Sequence, residues 1–189
     1  MRARRSGEVT MALFVSTFRS AARLAAAALI AACAANARAD QIAQVDQQAP
    51  ELDVKLLSGK ILKARDLRGK VVINLVWATW SPASRMDLPQ VQRLYQAYHD
   101  KGLEILALAI DENPGDVREF WKARGYAFPA AMRSDAFFER YGRASTTPMF
   151  YIVDRQGVLR HRIAGTIASE KLEGLLKALL AEPARVAKH

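Results

Sequence analysis

The sequence predicts a mixed-sheet, three-layer α/β domain, and three observations carry that expectation. Val71-Val72-Ile73-Asn74-Leu75-Val76-Trp77 and Leu103 to Ile110 are β-branched or nearly all-apolar runs of strand length, the composition of strands buried on both faces. Between them lies a long segment of helical periodicity, so the pair reads as a βαβ unit with parallel strands. Near the C-terminus, Met149-Phe150-Tyr151-Ile152-Val153 and Val158 to Ile163 flank the turn Asp154-Arg155-Gln156-Gly157, which adds an antiparallel hairpin to the same sheet.

The remaining elements follow in order. Glu51 to Leu57 and Lys60 to Ala64 flank the turn signal Ser58-Gly59 and read as an N-terminal β-hairpin, and residues 66–70 connect it to the first buried strand. Ser81-Pro82 is an N-cap followed by proline at the first helical position, so a helix starts there and runs to about Lys101, with Gly102 after its end. Leu88, Val91, Leu94, Tyr95 and Tyr98 form its inner face, and Pro89 is expected to kink it. Asn113-Pro114 opens a second helix ending before Gly125. A short strand is expected near Phe128 to Met132. Ser134 caps a short helix through Arg140, and Ser169 to Leu180 forms a final helix with Leu172, Leu175, Leu176, Leu179 and Leu180 inward.

The chain has 189 residues, 51% of them hydrophobic, which suits one folded domain with a real core. Its net charge of +9 is less basic than it looks. Six arginines against one glutamate precede Asp40, so only +4 remains for the rest. Those cations are scattered, and nucleic acid is not an expected partner.

The N-terminus reads as an export signal. Arg19 and Arg23 flank the apolar run Leu24 to Ala35, which is too short to span a bilayer, and Ala37-Arg38-Ala39 fits a small-x-small cleavage site. The expected organisation is a signal over residues 1–39, a polar leader over 40–47, the domain over 48–183 and a tail over 184–189; Met11 is an alternative start to Met1. Cys33, the only cysteine, sits in Ile30-Ala31-Ala32-Cys33, which resembles a bacterial lipobox. It is a lipidation candidate and hence a candidate membrane tether; the alternative is a small residue of the apolar run. The mature domain contains no thiol and forms no internal disulfide. Without cysteines, and with only His99, His161 and His189 scattered along the chain, neither a metal site nor a cofactor is expected.

Three stretches carry a family resemblance. Trp77-Ala78-Thr79-Trp80-Ser81-Pro82-Ala83-Ser84-Arg85-Met86-Asp87-Leu88-Pro89 resembles the W-A-[ST]-W-C-x-x-C-[RK]-x-[ED]-x-P segment of the thioredoxin-like TlpA/ResA group. Residues Ser145 to Gly157 resemble that group's cis-proline strand, and Leu106 to Glu112 its V-x-V-D-[ED] strand end. The resemblance covers roughly residues 48–180. It implies a thioredoxin-like three-layer α/β/α sandwich with a mixed central sheet, in a group of secreted or membrane-tethered thiol–disulfide oxidoreductases. Many of these serve cytochrome c maturation or periplasmic protein reduction.

The departure lies at Ser81 and Ser84, which occupy both cysteine positions of the motif. The group's first cysteine is a thiolate stabilised at the helix N-terminus, and its second resolves the mixed disulfide. A hydroxyl does neither, so no catalytic residue is assigned. A serine nucleophile at Ser81 would need a base that the motif does not contain. Ser84 reads as a helix-face hydroxyl, and Asp87 as a first-turn charge favoured by the helix dipole. Trp77 reads as core, whereas Trp80 serves binding or packing. By resemblance, the Thr147–Pro148 bond is cis and the backbone before it pairs with an extended substrate.

These expectations converge on a redox-inert periplasmic module that keeps a peptide groove of Trp80, Ser81, Pro82, Thr147 and Pro148 for an exported or envelope client. The competing readings are a thiol–disulfide oxidoreductase in which the serines are an engineered replacement, and a non-thiol enzyme using the same groove. Mass spectrometry of the mature chain tests the signal: the expected N-terminus is Asp40, and a lipid-modified Cys33 would overturn that cleavage site.

Overall fold

A computed structural model describes residues 42–184. The expected export signal, Cys33, Asp40 and His189 lie outside the described residues. The elements, in chain order, are the strands β1 (Val54–Lys55), β2 (Ile61–Leu62) and β3 (Val71–Trp77), then helix α1 (Pro82–Tyr98) and strand β4 (Leu103–Ala109). Helix α2 (Pro114–Arg124), strand β5 (Ala130–Met132) and helix α3 (Asp135–Tyr141) follow. The chain ends with β6 (Met149–Val153), β7 (Leu159–Ala164) and helix α4 (Ser169–Ala181).

Five strands form one mixed sheet in the order β5-β4-β3-β6-β7. β3 pairs parallel with β4, Val71 opposite Leu103, and antiparallel with β6, Val72 opposite Val153. β5 extends the parallel side and β7 the antiparallel side. Every residue of β3, β4 and β6 is buried, in keeping with a composition that is apolar except for Asn74 and Glu104. β1 and β2 make a separate two-stranded hairpin of only two residues each, shorter than the sequence suggests. Leu56 continues the hairpin, its N–H donating to Lys60 O, while it also bridges Ala131 in β5, and the Leu57 N–H donates to Ala130 O.

The two faces of the sheet are covered unequally. On one face, Val71, Ile73, Leu75 and Trp77 pack against Leu88, Val91 and Leu94 of α1, Val117 of α2, and Leu172, Leu176 and Leu179 of α4. On the other, Val72, Val76, Leu106, Leu108 and Tyr151 meet Phe137 and Tyr141 of the short α3, while the hairpin and the residues before it supply the rest. Those N-terminal residues run along β7: the Asp46 N–H donates to Leu159 O and the Leu159 N–H to Gln47 O. Residues 42–47, assigned to a leader from their polarity, are thus bonded into the domain, and Ala43 is buried. Both sheet edges are thus partly covered, β5 by residues 56–57 and the start of β7 by residues 46–48, which shortens the ladders open to other chains.

Helix ends follow their local chemistry. Ser81, Asn113 and Ser134 each cap a helix by accepting a backbone N–H two or three residues on. α1 continues through Pro89, tightens into a 3-10 turn over His99–Lys101 and stops at Gly102, whose φ of 95° lies in the left-handed region. A Cβ at this position would also lie only 3.1 Å from the Arg155 guanidinium. Arg155 donates to the carbonyls of Gly69, Lys101 and Leu180, tying together the entries to β3 and β4 and the end of α4.

The α4 face makes a direct stability prediction. Leu172 is fully buried beneath α4, so Leu172→Ala should lower the unfolding free energy by about 2–5 kcal/mol in urea titration. A loss below about 1 kcal/mol would contradict that packing.

Candidate functional site

The site is assembled where β3 ends. Trp77 closes the strand with its ring in the core, 5.4 Å from Phe120 and 5.2 Å from Trp121 between centroids. The chain then reverses through residues 78–81 into α1. Asp111, just past β4, holds this reversal: its carboxylate accepts the Thr79 N–H and the Thr79 hydroxyl. Trp80 at the apex is 64% exposed, so its ring is available for contact rather than committed to the core. Met86, one turn into α1, is 75% exposed. Together they present apolar surface beside a helix N-terminus.

Ser81 is the N-cap of α1. Its Oγ accepts the Ser84 N–H at 3.2 Å, a cap of a kind that contributes about 1 kcal/mol. The same hydroxyl donates to Thr147 O at 3.4 Å, which brings the 145–148 loop against the helix start. The Thr147–Pro148 bond is cis. Pro148 O accepts from the Gly165 N–H and so belongs to the sheet; among the described residues, no bond engages the Thr147 N–H. The expected groove residues Trp80, Ser81, Pro82, Thr147 and Pro148 therefore meet at one end of the sheet. Trp80 and Pro82 are exposed, and Ser81 and Pro148 are buried.

Neither described histidine partners Ser81. His99 Nδ1 lies 3.2 Å from Leu103 O at the far end of the helix. His161 sits on β7, where burial and the neighbouring Arg160 hold its pKa below the usual value. Ser81 thus lacks the adjacent base that would make it a nucleophile.

Ser84 lies on a helix face that is buried: it is 1% exposed and, among the described residues, its Oγ has no hydrogen-bond partner. One expectation needs correction: Asp87 is not a first-turn charge. It lies in the second turn, 5% exposed, with Oδ1 accepting the Gln90 amide at 2.9 Å and Oδ2 without a partner. The reason is tertiary: the loop before α4 covers this side of α1, and the Gln90 amide also donates to Ile167 O at 2.9 Å. Burial holds the Asp87 carboxyl above the usual carboxylate range, opposed by the nearby Ile167 backbone and the Gln90 amide. Ser84 and Asp87 are three residues apart and share one helix face, so α1 carries a buried, under-satisfied polar pair beneath its N-terminus. Gln90, Asp111 and Met86 had no assigned role from sequence. A glutamine next to the apolar stripe Leu88–Val91 was the available signal for the first.

Comparison with known proteins agrees with this geometry. A family model described as Redoxin matches residues 44–179. The chain belongs to the redoxin family. Within this thioredoxin-like family it is similar to the thiol-disulfide oxidoreductase ResA of Bacillus thuringiensis (strain Al Hakam), with 34% identity over 137 residues covering 72% of this chain and 79% of that protein. The ResA of Oceanobacillus iheyensis is 28% identical over 79% of this redoxin and 81% of the relative. Among solved structures, a thiol:disulfide interchange protein of the thioredoxin family from Chlorobium tepidum TLS superposes with a TM-score of 0.67 at 22% identity, covering 73% of this redoxin and 99% of that chain. StoA from Bacillus subtilis gives a TM-score of 0.58 at 22% identity, covering 66% and 95%. At such identities the structural likeness establishes the thioredoxin-like fold.

The buried carboxyl makes a pH prediction. Because the native pKa of Asp87 is raised above its ordinary value of 3.8, the folded state holds a proton that the unfolded chain has already released. That contribution to stability is complete below the unfolded pKa and is lost as pH rises through the folded one. Asp87→Asn keeps an acceptor for Gln90 and removes the titration. Its Tm by calorimetry should exceed that of the wild type at about pH 7, with the gap closing toward about pH 4; a gap independent of pH would contradict the assignment.

Proposed function

We propose that this redoxin is an exported, redox-inert member of a thiol–disulfide oxidoreductase family that binds extended segments of exported or envelope proteins. The observation that carries the proposal is that Ser81 and Ser84 keep the positions of a dithiol pair while holding oxygen. Ser81 uses its hydroxyl to cap α1 and to bond Thr147 O. An alcohol so placed is not ionised near neutral pH, has no adjacent base, and forms no counterpart of a disulfide with its neighbour.

Binding does not need a thiol. An extended client can pair its backbone with the Thr147 N–H and lay a side chain on the exposed Trp80 ring, as in other strand-addition modes of recognition. The exposed Met86 widens the apolar contact with a flexible side chain suited to varied sequences. Residues 1–39 supply the export signal in this reading, placing the domain in the periplasm, with Cys33 as the candidate lipid anchor. The relatives' shared description as thiol-disulfide oxidoreductases favours a second reading, in which cysteines natively occupy positions 81 and 84; the gene sequence at those two codons decides it.

Activity assays separate scaffold from chemistry. In insulin reduction with dithiothreitol, the protein should match the no-protein rate, whereas Ser81→Cys/Ser84→Cys should accelerate precipitation. Catalysis by the serine form would overturn the inert reading. For a client recovered by envelope crosslinking, Trp80→Ala and Pro148→Ala should each weaken binding about tenfold or more, and unchanged affinity in both would remove the groove.

A further inference from the structure

The sheet face turned away from α1 has the thinner cover, and a cavity of about 740 Å³ lies beneath it. Its roof is the segment before β1 and the turn leading into β3; its floor is the sheet, with α3 at one side. The volume falls within the roughly 300–1,000 Å³ of small-molecule sites. The inner wall is aliphatic, from Leu52, Val54 and Leu67 above to Val72, Leu106 and Val153 below. Asn74, the one polar side chain of β3, faces this space but lies beside the Tyr141 hydroxyl, which itself donates to Pro50 O at 3.1 Å. These polar groups answer one another, and the rest of the interior is greasy.

The rim differs from the interior. Arg68, Lys70 and Arg155 line it, against Glu51 and Asp154. Asp154 is committed to the turn: it accepts the N–H groups of Gln156 and Val158 and pairs with Arg160. Arg155 is committed to three carbonyls. Among these rim groups, Arg68 presents a two-pronged donor to a carboxylate at the mouth. Its Nε and Nη2 donate to Glu51 at 3.0 and 2.8 Å, and both side chains are more than half exposed. An exposed pair of this kind contributes little, so another carboxylate can compete for the fork.

We propose that this cavity binds an amphipathic monocarboxylate of fatty-acid type, its aliphatic body among Leu52, Val54 and Leu67 and its carboxylate on the Arg68 guanidinium in place of Glu51. The site is separate from the Trp80 groove and independent of the chemistry at Ser81 and Ser84.

Decanoate below its micelle concentration is the probe, and 1-decanol its neutral analogue, both titrated against the full chain by calorimetry. Decanoate should bind saturably at one site, and amide shifts in the wild-type protein should fall on residues 49–54, 67–74 and 137–141. Arg68→Ala should weaken decanoate about tenfold and leave decanol unchanged. Leu67→Trp, which fills the interior, should abolish binding of both, whereas Trp80→Ala should change neither. Absence of saturable binding, shifts centred on residues 79–84 and 147–148, or equal affinity of Arg68→Ala for decanoate would each overturn the proposal. The wild-type shift map decides the location even if Leu67→Trp fails to fold.

Discussion

The structure depends on the burial of β3 on both faces. Its seven residues lie at the centre of the sheet, hydrogen-bonded to a parallel neighbour on one side and an antiparallel one on the other. Alternate side chains therefore serve two different cores: Ile73, Leu75 and Trp77 face the helices α1, α2 and α4, while Val72 and Val76 face α3 and the N-terminal segment. A strand so constrained leaves its C-terminal end no freedom. The reversal at residues 78–81 has to emerge at one edge of the molecule, and the start of α1 with it. Asp111 reinforces this from the next strand by binding both the backbone and the hydroxyl of Thr79.

That constraint explains how the site keeps its geometry with serine at positions 81 and 84. The same local rules that would present a thiolate at a helix N-terminus present a serine cap: an extended residue before Pro82, a side-chain acceptor for the Ser84 N–H, and a proline-containing loop facing it. Beneath the cap remain three buried polar atoms without partners, Trp77 Nε1, Ser84 Oγ and Asp87 Oδ2. Such groups lower stability in a core. They mark this end of α1 as a poorly satisfied part of the interior, and the raised pKa of Asp87 is the electrostatic form of the same mismatch.

The unequal cover of the two sheet faces has a different origin. Long helices bury the first face with leucines at regular spacing. The second face is closed by one helix of seven residues, a hairpin of two residues per strand and irregular chain. Irregular segments fill space less completely than helices do, because their backbone polar groups also need partners. The result is a roof held by edge hydrogen bonds at residues 46–49 and 56–57, with open volume beneath it.

Much of this was legible in the residues themselves, and the reason is locality. β3, β4 and β6 declare themselves by nearly all-apolar composition, and the helix starts at Ser81, Asn113 and Ser134 by caps whose partners lie two or three residues away. That serine stands at positions 81 and 84 is a statement of composition and needs no coordinates. What tertiary structure alone decided involves partners distant in the chain. Asp87 looks like a helix-surface charge until the loop at Ile167 covers it; Trp80 could have packed inward until Asp111 fixed the turn that exposes it; and residues 42–47 look like a solvated leader until β7 offers them a ladder. Short-range hydrogen bonds and strand periodicity are written in neighbouring residues, whereas burial depends on which distant segment arrives to exclude water.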